Sequence, residues 1–394
     1  MDEDFKKSIS IGIALSGGGF RAAVFHLGVL ARLAADDLLK KVTFLSTVSG
    51  GSLIAGLIYS VSDCKWPNDS FFIREVFPKA RDYLITVDIQ RDSLFRLLTR
   101  PWYIFQGRAR LVSESLNKRW HIKGKMVDLP MQPRWVVNAT TYQTGKNWRF
   151  MPQRMGDYIA DYTAKPRMSI STAMAASAAY PGLIGPLKLK TKNYKWFEFL
   201  ADTITKQELK RSRFDALHLW DGGVYDNLGV EALYKPQKPN YRPEFNFLIV
   251  SDASKDLEIE RSRALFRSAY RLVEIAMDQV RSLRARQLAA HFLENENSGA
   301  YFKIGDSAGT IAKIWKRQSQ ESPAIPNDSL SESDVRRAGG YATNLKRMPK
   351  SAFDLITRHG WEVADLTLLT LCPSVFTHRT YEDSLTENSG IVKS

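Results

Sequence analysis

The chain has 394 residues, 44% of them hydrophobic and 25% charged, which excludes a disordered chain and allows one large or two ordinary domains. Lys and Arg number 56 against 42 Asp and Glu. The resulting net charge of +14 favours anionic partners without choosing among nucleic acid, an anionic membrane leaflet and acidic small molecules. Two cysteines, Cys64 and Cys372, are too few for a disulfide scaffold or a four-thiolate zinc site and fit a reducing compartment.

The first residues, Met1 to Lys7, are acidic and lead into no long apolar stretch of the kind a secretory signal needs, so a cytoplasmic protein is expected. Ile9 to Leu15 alternates Ile and Leu with small residues, the period-two pattern of a strand. Ser16-Gly17-Gly18-Gly19 breaks it, and Phe20 to Ala34 follows with a helical apolar pattern. A second strand, Val42 to Val48, runs into Ser49-Gly50-Gly51 and an apolar helix from Ser52 to about Tyr59. Leu53 to Val61 falls well short of the roughly 20 residues of a spanning helix, so any membrane contact is expected to be peripheral.

Further strands are predicted at Trp135 to Ala139, Leu217 to Trp220 and Phe245 to Val250. Strands separated by helical stretches imply an α/β fold with a mostly parallel central sheet flanked by helices. Arg261 to Glu294 reads as one or two helices with Leu265, Leu272, Ile275, Ala276, Val280 and Leu283 on a core-facing side and arginines on a solvated one. Residues 305–340 read as a mobile loop or lid, and 382–394 as a flexible tail.

Three turns carry chemistry. Gly17-Gly18-Gly19-Phe20-Arg21 places unencumbered N–H groups at the positive end of a helix, suited either to a bound phosphate or to a transition-state oxyanion. It has neither the ending of a P-loop nor the dinucleotide spacing, and a plain packing turn reads equally well. Thr47-Val48-Ser49-Gly50-Gly51 resembles a nucleophile elbow in which Thr47 replaces the first glycine; a helix N-cap serine is the alternative. Asp221-Gly222-Gly223 puts a carboxylate at a strand end, where a simple turn aspartate would also fit.

These blocks in this order resemble the patatin-like phospholipase family. So do Ala175-Ala176-Ser177-Ala178-Ala179-Tyr180-Pro181, Asn138-Ala139-Thr140-Thr141 with Thr144-Gly145, and Val224-Tyr225-Asp226-Asn227-Leu228-Gly229. The likeness spans about residues 9 to 230, and weaker likeness near Ala342-Thr343-Asn344-Leu345 and Leu355 to Trp361 suggests that the C-terminal helices complete the same domain. It implies a three-layer α/β/α domain with a catalytic core over 9–236 and a completing segment over 237–381.

It also implies a lipid acyl hydrolase of phospholipase A or lysophospholipase type. Ser49 is then the nucleophile, Asp221 the base, and the N–H groups of Gly17, Gly18 and Gly19 the oxyanion hole. Gly50, Gly51, Gly222 and Gly223 support the elbow and the dyad, and no cofactor or metal is called for. Arg21 either pairs with a lipid phosphate or braces the loop against Asp221 or another acidic group. The helix after Ser49 and the turn Tyr180 to Ile184 either line an acyl channel or pack on the sheet. His26 and His218 read as satisfied core residues, and the other histidines have no metal-ligand spacing.

Expected partners are a phospholipid or lysophospholipid substrate and an anionic membrane surface. Two other functions are weighed: a catalytically weak lipid-binding relative, and a nucleic-acid-binding protein using the basic run from Arg108 to Lys125 around Trp120, with Trp148 and Arg149 as a stacking platform.

Overall fold

Strand β1, Ile11–Leu15, is buried along its whole length, as a central strand covered on both faces must be. It leads through the triple glycine into helix α1, Gly19–Ala35. β2, Val42–Thr47, leads in the same way into α2, Gly50–Val61. The structure, a computed structural model, describes residues 8–103, 107–182, 184–200, 203–209, 211–235, 242, 244–257, 259, 268–318, 325–373 and 376–381. The expected tail over 382–394 lies outside the described residues, as do 261–267 of the predicted long helix.

After α2 come α3, Phe77–Thr86, α4, Ile89–Thr99, and α5, Ala109–Arg119, before the chain returns to the sheet as β3, Arg134–Thr141. Then follow β4, Asn147–Phe150, β5, Arg154–Asp157, β6, Asp161–Ala164, helix α6, Ile170–Ser177, β7, Leu187–Lys190, β8, Trp196–Leu200, β9, Thr203–Leu209, and β10, Ala216–Asp221. The last part supplies β11, Phe247–Asp252, α7, Ser268–Glu294, β12, Gly299–Lys303, α8, Ala308–Gln318, α9, Glu332–Gly340, and α10, Lys350–Leu371.

The sheet runs β12-β11-β1-β2-β3-β4-β5-β6-β8-β9, with β10 pairing with β3 and β7. From β12 to β3 all neighbours are parallel, while every pair beyond β3 is antiparallel. The expected mostly parallel sheet is therefore a mixed one. The short strands β4, β5 and β6 follow one another through tight turns instead of helical crossovers and lack the apolar runs that mark buried parallel strands. Residues 305–340, expected as a loop, contain α8 and α9; residues 319–324 between them lie outside the described residues.

Alternation along the parallel strands sorts their side chains into two cores. Ile11, Ile13, Leu45, Trp135, Val137, Phe247 and Ile249 face the layer containing α1, α2 and α10, whereas Ala14, Phe44, Val136, Leu248 and Val250 face Leu288 and Phe292 of α7. Helices on both sides give the α/β/α three-layer architecture. The α7 layer corrects the sequence reading. Leu272, Ile275 and Leu283 are exposed and Arg281 is buried, because Arg281 is drawn inward to Asp252 and Arg284 to Glu231, each at 3.1 Å. Among the described residues no helix is long and apolar enough to cross a membrane.

The first and last helices are clamped by charge inside the core. Arg32 of α1 donates from Nε to Asp365 Oδ1 of α10 at 2.6 Å, and from Nη1 to Asp36 at 2.8 Å, with all three side chains nearly inaccessible. Asp365 also meets His378 Nδ1 at 2.6 Å. Removing Asp365 strips the buried guanidinium of one of its two carboxylates and leaves its Nε without an acceptor. Asp365→Ala is therefore expected to lower unfolding free energy by about 3 to 5 kcal/mol, measured by urea denaturation; a loss below about 1 kcal/mol would show that the clamp contributes little.

Candidate active site

At the end of β2 the backbone turns left-handed at Ser49, with φ 48°, and α2 starts at the next residue. This is a strained position for a residue with a Cβ. It lifts the serine side chain out of the strand line toward the cavity. The turn closes only because Gly50 lies against the backbone of Gly19, so close that a Cβ at Gly50 would overlap the Gly19 carbonyl oxygen.

A one-way chain of hydrogen bonds fixes the elbow. Trp135 Nε1 donates to Thr47 Oγ1 at 3.0 Å, Thr47 and Ser52 hydroxyls lie 2.8 Å apart, Ser52 and Ser177 hydroxyls 2.8 Å apart, and Ser177 Oγ donates to the Asn138 carbonyl at 2.6 Å. The two ends orient the middle, so Thr47 donates to Ser52 and Ser52 to Ser177. Ser177 also accepts the Ser49 N–H at 2.9 Å. Thr47, the departure from the usual elbow glycine, is thus a working member of the turn.

Asp221 ends β10, and the tail of α6 receives it. Its N–H donates to the Ala179 carbonyl at 3.1 Å, and the Gly222 N–H donates to the Ser177 carbonyl at 3.2 Å. The carboxyl is buried; Oδ1 accepts from Gly223 N–H at 2.7 Å, and Oδ2 has no hydrogen-bond partner among the described residues. Burial pushes its pKa up to about 7, against the opposing pull of the Gly223 N–H and the neighbouring Ser49 hydroxyl. The serine is near enough to favour the charged carboxylate without forming a well-aligned bond to it in this resting state.

Ser49 and Asp221 border one cavity of about 620 Å³, together with Gly18, Gly19, Arg21 and Asn227. Gly18 and Gly19 have φ 141° and 61°, which a side chain would resist, and among the described residues neither N–H is paired. Gly17 differs from the expected triple donor set. Its N–H is committed to the Asn227 carbonyl at 3.0 Å, so it fastens the loop and leaves two donors facing the site. Gly51, Gly222 and Gly223 lie against Leu15, Asn138 and Asn227 respectively, which makes them packing positions around the dyad.

Arg21 is buried, and its bracing is to backbone, not to Asp221. Nε and Nη2 donate to the Ala253 carbonyl at 3.2 and 3.1 Å, and Nη1 to the Tyr341 carbonyl at 2.5 Å and to Thr343 Oγ1 at 3.0 Å. Burial lowers its pKa to about 10, with Asp252 and Asp256 opposing. Among the described residues no histidine borders the cavity. His26 is buried between Ser251 Oγ at 2.8 Å and the Ser16 carbonyl at 3.0 Å, and burial lowers its pKa to about 4. Tyr180 and Ile184 border the cavity; Leu183 lies outside the described residues, and the apolar residues of α2 are core.

Ser177 and Asn227 are functional positions to which sequence reasoning gave no role. Both stood inside recognised blocks, and only their partners, distant along the chain, reveal what they do. The nucleic-acid reading loses its aromatics: Trp120 is buried and stacked on Phe20, and Trp148 is buried against Phe150 and Trp196. A base cannot stack on either.

A family model described as patatin-like phospholipase matches residues 13–234. A patatin-like phospholipase domain-containing protein of Aspergillus clavatus is 23% identical over 250 residues, 63% of this chain and 30% of that protein. One of Yarrowia lipolytica is 26% identical over 182 residues, 46% of this chain and 20% of that protein. The chain therefore spans less than a third of the length of these curated relatives. Among solved structures, human GIVD cytosolic phospholipase A2 superposes with a TM-score of 0.53 at 14% identity, covering 98% of this chain and 61% of that one, a likeness of fold.

The geometry gives two expectations. Ser177→Ala leaves the Ser49 amide and the Ser52 hydroxyl without their acceptor in a buried place, so stability should fall by about 1 to 3 kcal/mol; an unchanged urea midpoint would remove Ser177 from its bridging role. Asp221 binds its proton more tightly folded than unfolded, so from the usual carboxylate range up to about pH 7 folding takes up a proton and stability falls as pH rises. Asp221→Asn should match wild type at pH 4 and exceed it by up to roughly 4 kcal/mol at pH 8; a pH-independent difference would contradict the raised pKa.

Proposed function

Because the chain belongs to the patatin-like phospholipase family, whose members generically act as lipid acyl hydrolases with a Ser–Asp dyad, we propose that this protein hydrolyses fatty acyl esters of phospholipids or lysophospholipids through Ser49 and Asp221. The observation that carries the proposal is the convergence on one cavity of a serine on a left-handed elbow, a buried carboxyl with a pKa near 7, and two glycine N–H groups without partners among the described residues.

The chemistry follows from that arrangement. Asp221 accepts the Ser49 hydroxyl proton as Oγ attacks the ester carbonyl carbon, and the carbonyl oxygen takes up the charge. Gly18 and Gly19 N–H groups hold this oxyanion, and one such donor is typically worth about 2.7 to 4 kcal/mol of barrier. Collapse breaks the ester bond, and Asp221 returns the proton to the departing lipid alcohol. Water then attacks the acyl-serine, giving its proton to Asp221, and the fatty acid leaves with Ser49 restored. A base with a pKa near 7 is half ionised at neutral pH and strong enough to take the proton.

The segment after 236 belongs to the same catalytic unit in this reading. β11 and β12 extend the sheet beside β1, and Ala342 to Leu345 border the cavity under the hold of Arg21. We place the protein in the cytoplasm, bound peripherally to anionic membranes, as the basic surface favours.

Release of free fatty acid from mixed anionic phospholipid vesicles, with a short-chain soluble ester beside it, tests the assignment. Ser49→Ala and Asp221→Asn should each lower turnover by roughly a thousandfold or more with the fold intact; a variant as active as wild type would remove its residue from the dyad. Asp221 works deprotonated, so activity on the soluble ester should fall about tenfold per unit as pH drops below about 7. A rate flat down to pH 5 would exclude Asp221 as the base.

A further inference from the structure

Two helices beside the cavity are turned inside out. α4 points its polar side chains at the protein: Arg96 Nε meets Asp92 at 2.6 Å, Arg119 of α5 meets Asp92 at 2.8 Å, Ser93 donates to Ser115 at 3.0 Å, and Arg100 and Tyr103 meet Glu114 of α5 at 3.1 and 2.6 Å. Its apolar side chains face outward, with Leu94 56%, Phe95 65%, Leu98 74% and the following Trp102 54% exposed. Their spacing puts them on one helical face. α7 repeats the inversion, with Arg281 buried on carboxylates while Leu272 and Leu283 are 67% and 54% exposed.

Both helices belong to the mouth of the cavity. α7 lines it directly through Tyr270, Arg271 and Met277. α4 reaches it at its N-terminal end. Gln90 exchanges two hydrogen bonds with Leu345, a lining residue, at 3.1 and 3.3 Å. After the helix, Arg108 packs on Gly185, next to the lining residue Ile184, so closely that a Cβ there would lie 3.1 Å from Arg108 Nε. Exposed cations lie nearby: Arg91 on α4, one helical turn before Leu94 and Phe95, and Lys118 at the end of α5, which packs on α4.

We propose that the outer face of α4 with Trp102 is the surface through which the protein seats its cavity on an anionic phospholipid bilayer. Apolar side chains left in water regain their transfer free energy in the acyl boundary, and the neighbouring cations meet the lipid headgroups, the two contributions that hold an interfacial helix. The polar side is already satisfied by α5, so insertion breaks no internal pair. The inference rests on the lipid-hydrolase reading for its choice of partner, since a second copy of the chain could also cover an apolar face.

The test is flotation with vesicles of phosphatidylcholine and phosphatidylserine, using full-length Ser49→Ala protein so that no lipid is consumed, with and without Leu94→Ser/Phe95→Ser/Leu98→Ser. The triple change should cut vesicle partitioning at least tenfold, and pure phosphatidylcholine should bind the parent more weakly. With Ser49 restored, hydrolysis of a soluble short-chain ester by the triple variant should stay within twofold of wild type. Equal flotation of parent and triple variant overturns the proposal, as does sedimentation showing that the change converts a dimer to a monomer with vesicle binding unaltered.

Should the triple variant fail to fold, brominated lipids read the same contact: fluorescence quenching present in the parent and lost in Trp102→Phe supports it, and identical quenching in both overturns it. Docking without any ester hydrolysis by wild type would sink the hydrolase reading and leave the surface standing. Ser49-dependent ester hydrolysis with no docking would do the reverse.

Discussion

The hydroxyl of Ser177 joins the two strand ends that carry the proposed nucleophile and base. It accepts the Ser49 amide, receives the Ser52 hydroxyl and donates to Asn138, while the carbonyl of the same residue holds Gly222 beside Asp221. A hydroxyl has one proton and two lone pairs, so all its capacity is used. Ser49 sits on β2 in the parallel half of the sheet, and Asp221 on β10, which enters from the antiparallel half. Without a shared anchor their separation would follow the twist of two strands that do not pair with each other.

A second anchor joins the glycine loop to the C-terminal part. Arg21 binds three carbonyl or hydroxyl partners on two segments more than 200 residues away, and among the described residues no carboxylate. A guanidinium carries five donors in a fixed fork, so burying it among carbonyls orders several strands of chain at once. The loop that supplies the Gly18 and Gly19 N–H groups is thereby held by residues that lie outside the matched family segment. The cavity is shared between the matched segment and the part of the chain after it.

Much of this was legible in the sequence, for identifiable reasons. Glycine turns at the ends of Ile- and Val-rich strands announce parallel crossovers, so β1, α1, β2 and α2 emerge within a residue or two of their bounds. The antiparallel extension stayed hidden because strands such as Asn147–Phe150 and Arg154–Asp157 are four residues long and carry charge, too short to show a period. The long helix α7 misled for the opposite reason: its apolar stripe is real, but tertiary ion pairs of Arg281 with Asp252 and Arg284 with Glu231 turned it outward. The commitment of the Gly17 amide to Asn227 has no local signature at all, since the two residues meet only after the sheet has formed.

A carboxyl with a pKa near 7 also makes the site responsive to the surface on which it would work. An anionic leaflet at about −30 mV concentrates protons, so the pH at its surface lies about half a unit below bulk. With Asp221 as the base, the electric potential that would draw a +14 chain to the lipid would also keep more of the base protonated there. Lipid charge would then act on turnover in two opposed directions, raising residence at the interface while lowering the ionised fraction, and an intermediate charge density would serve the enzyme best.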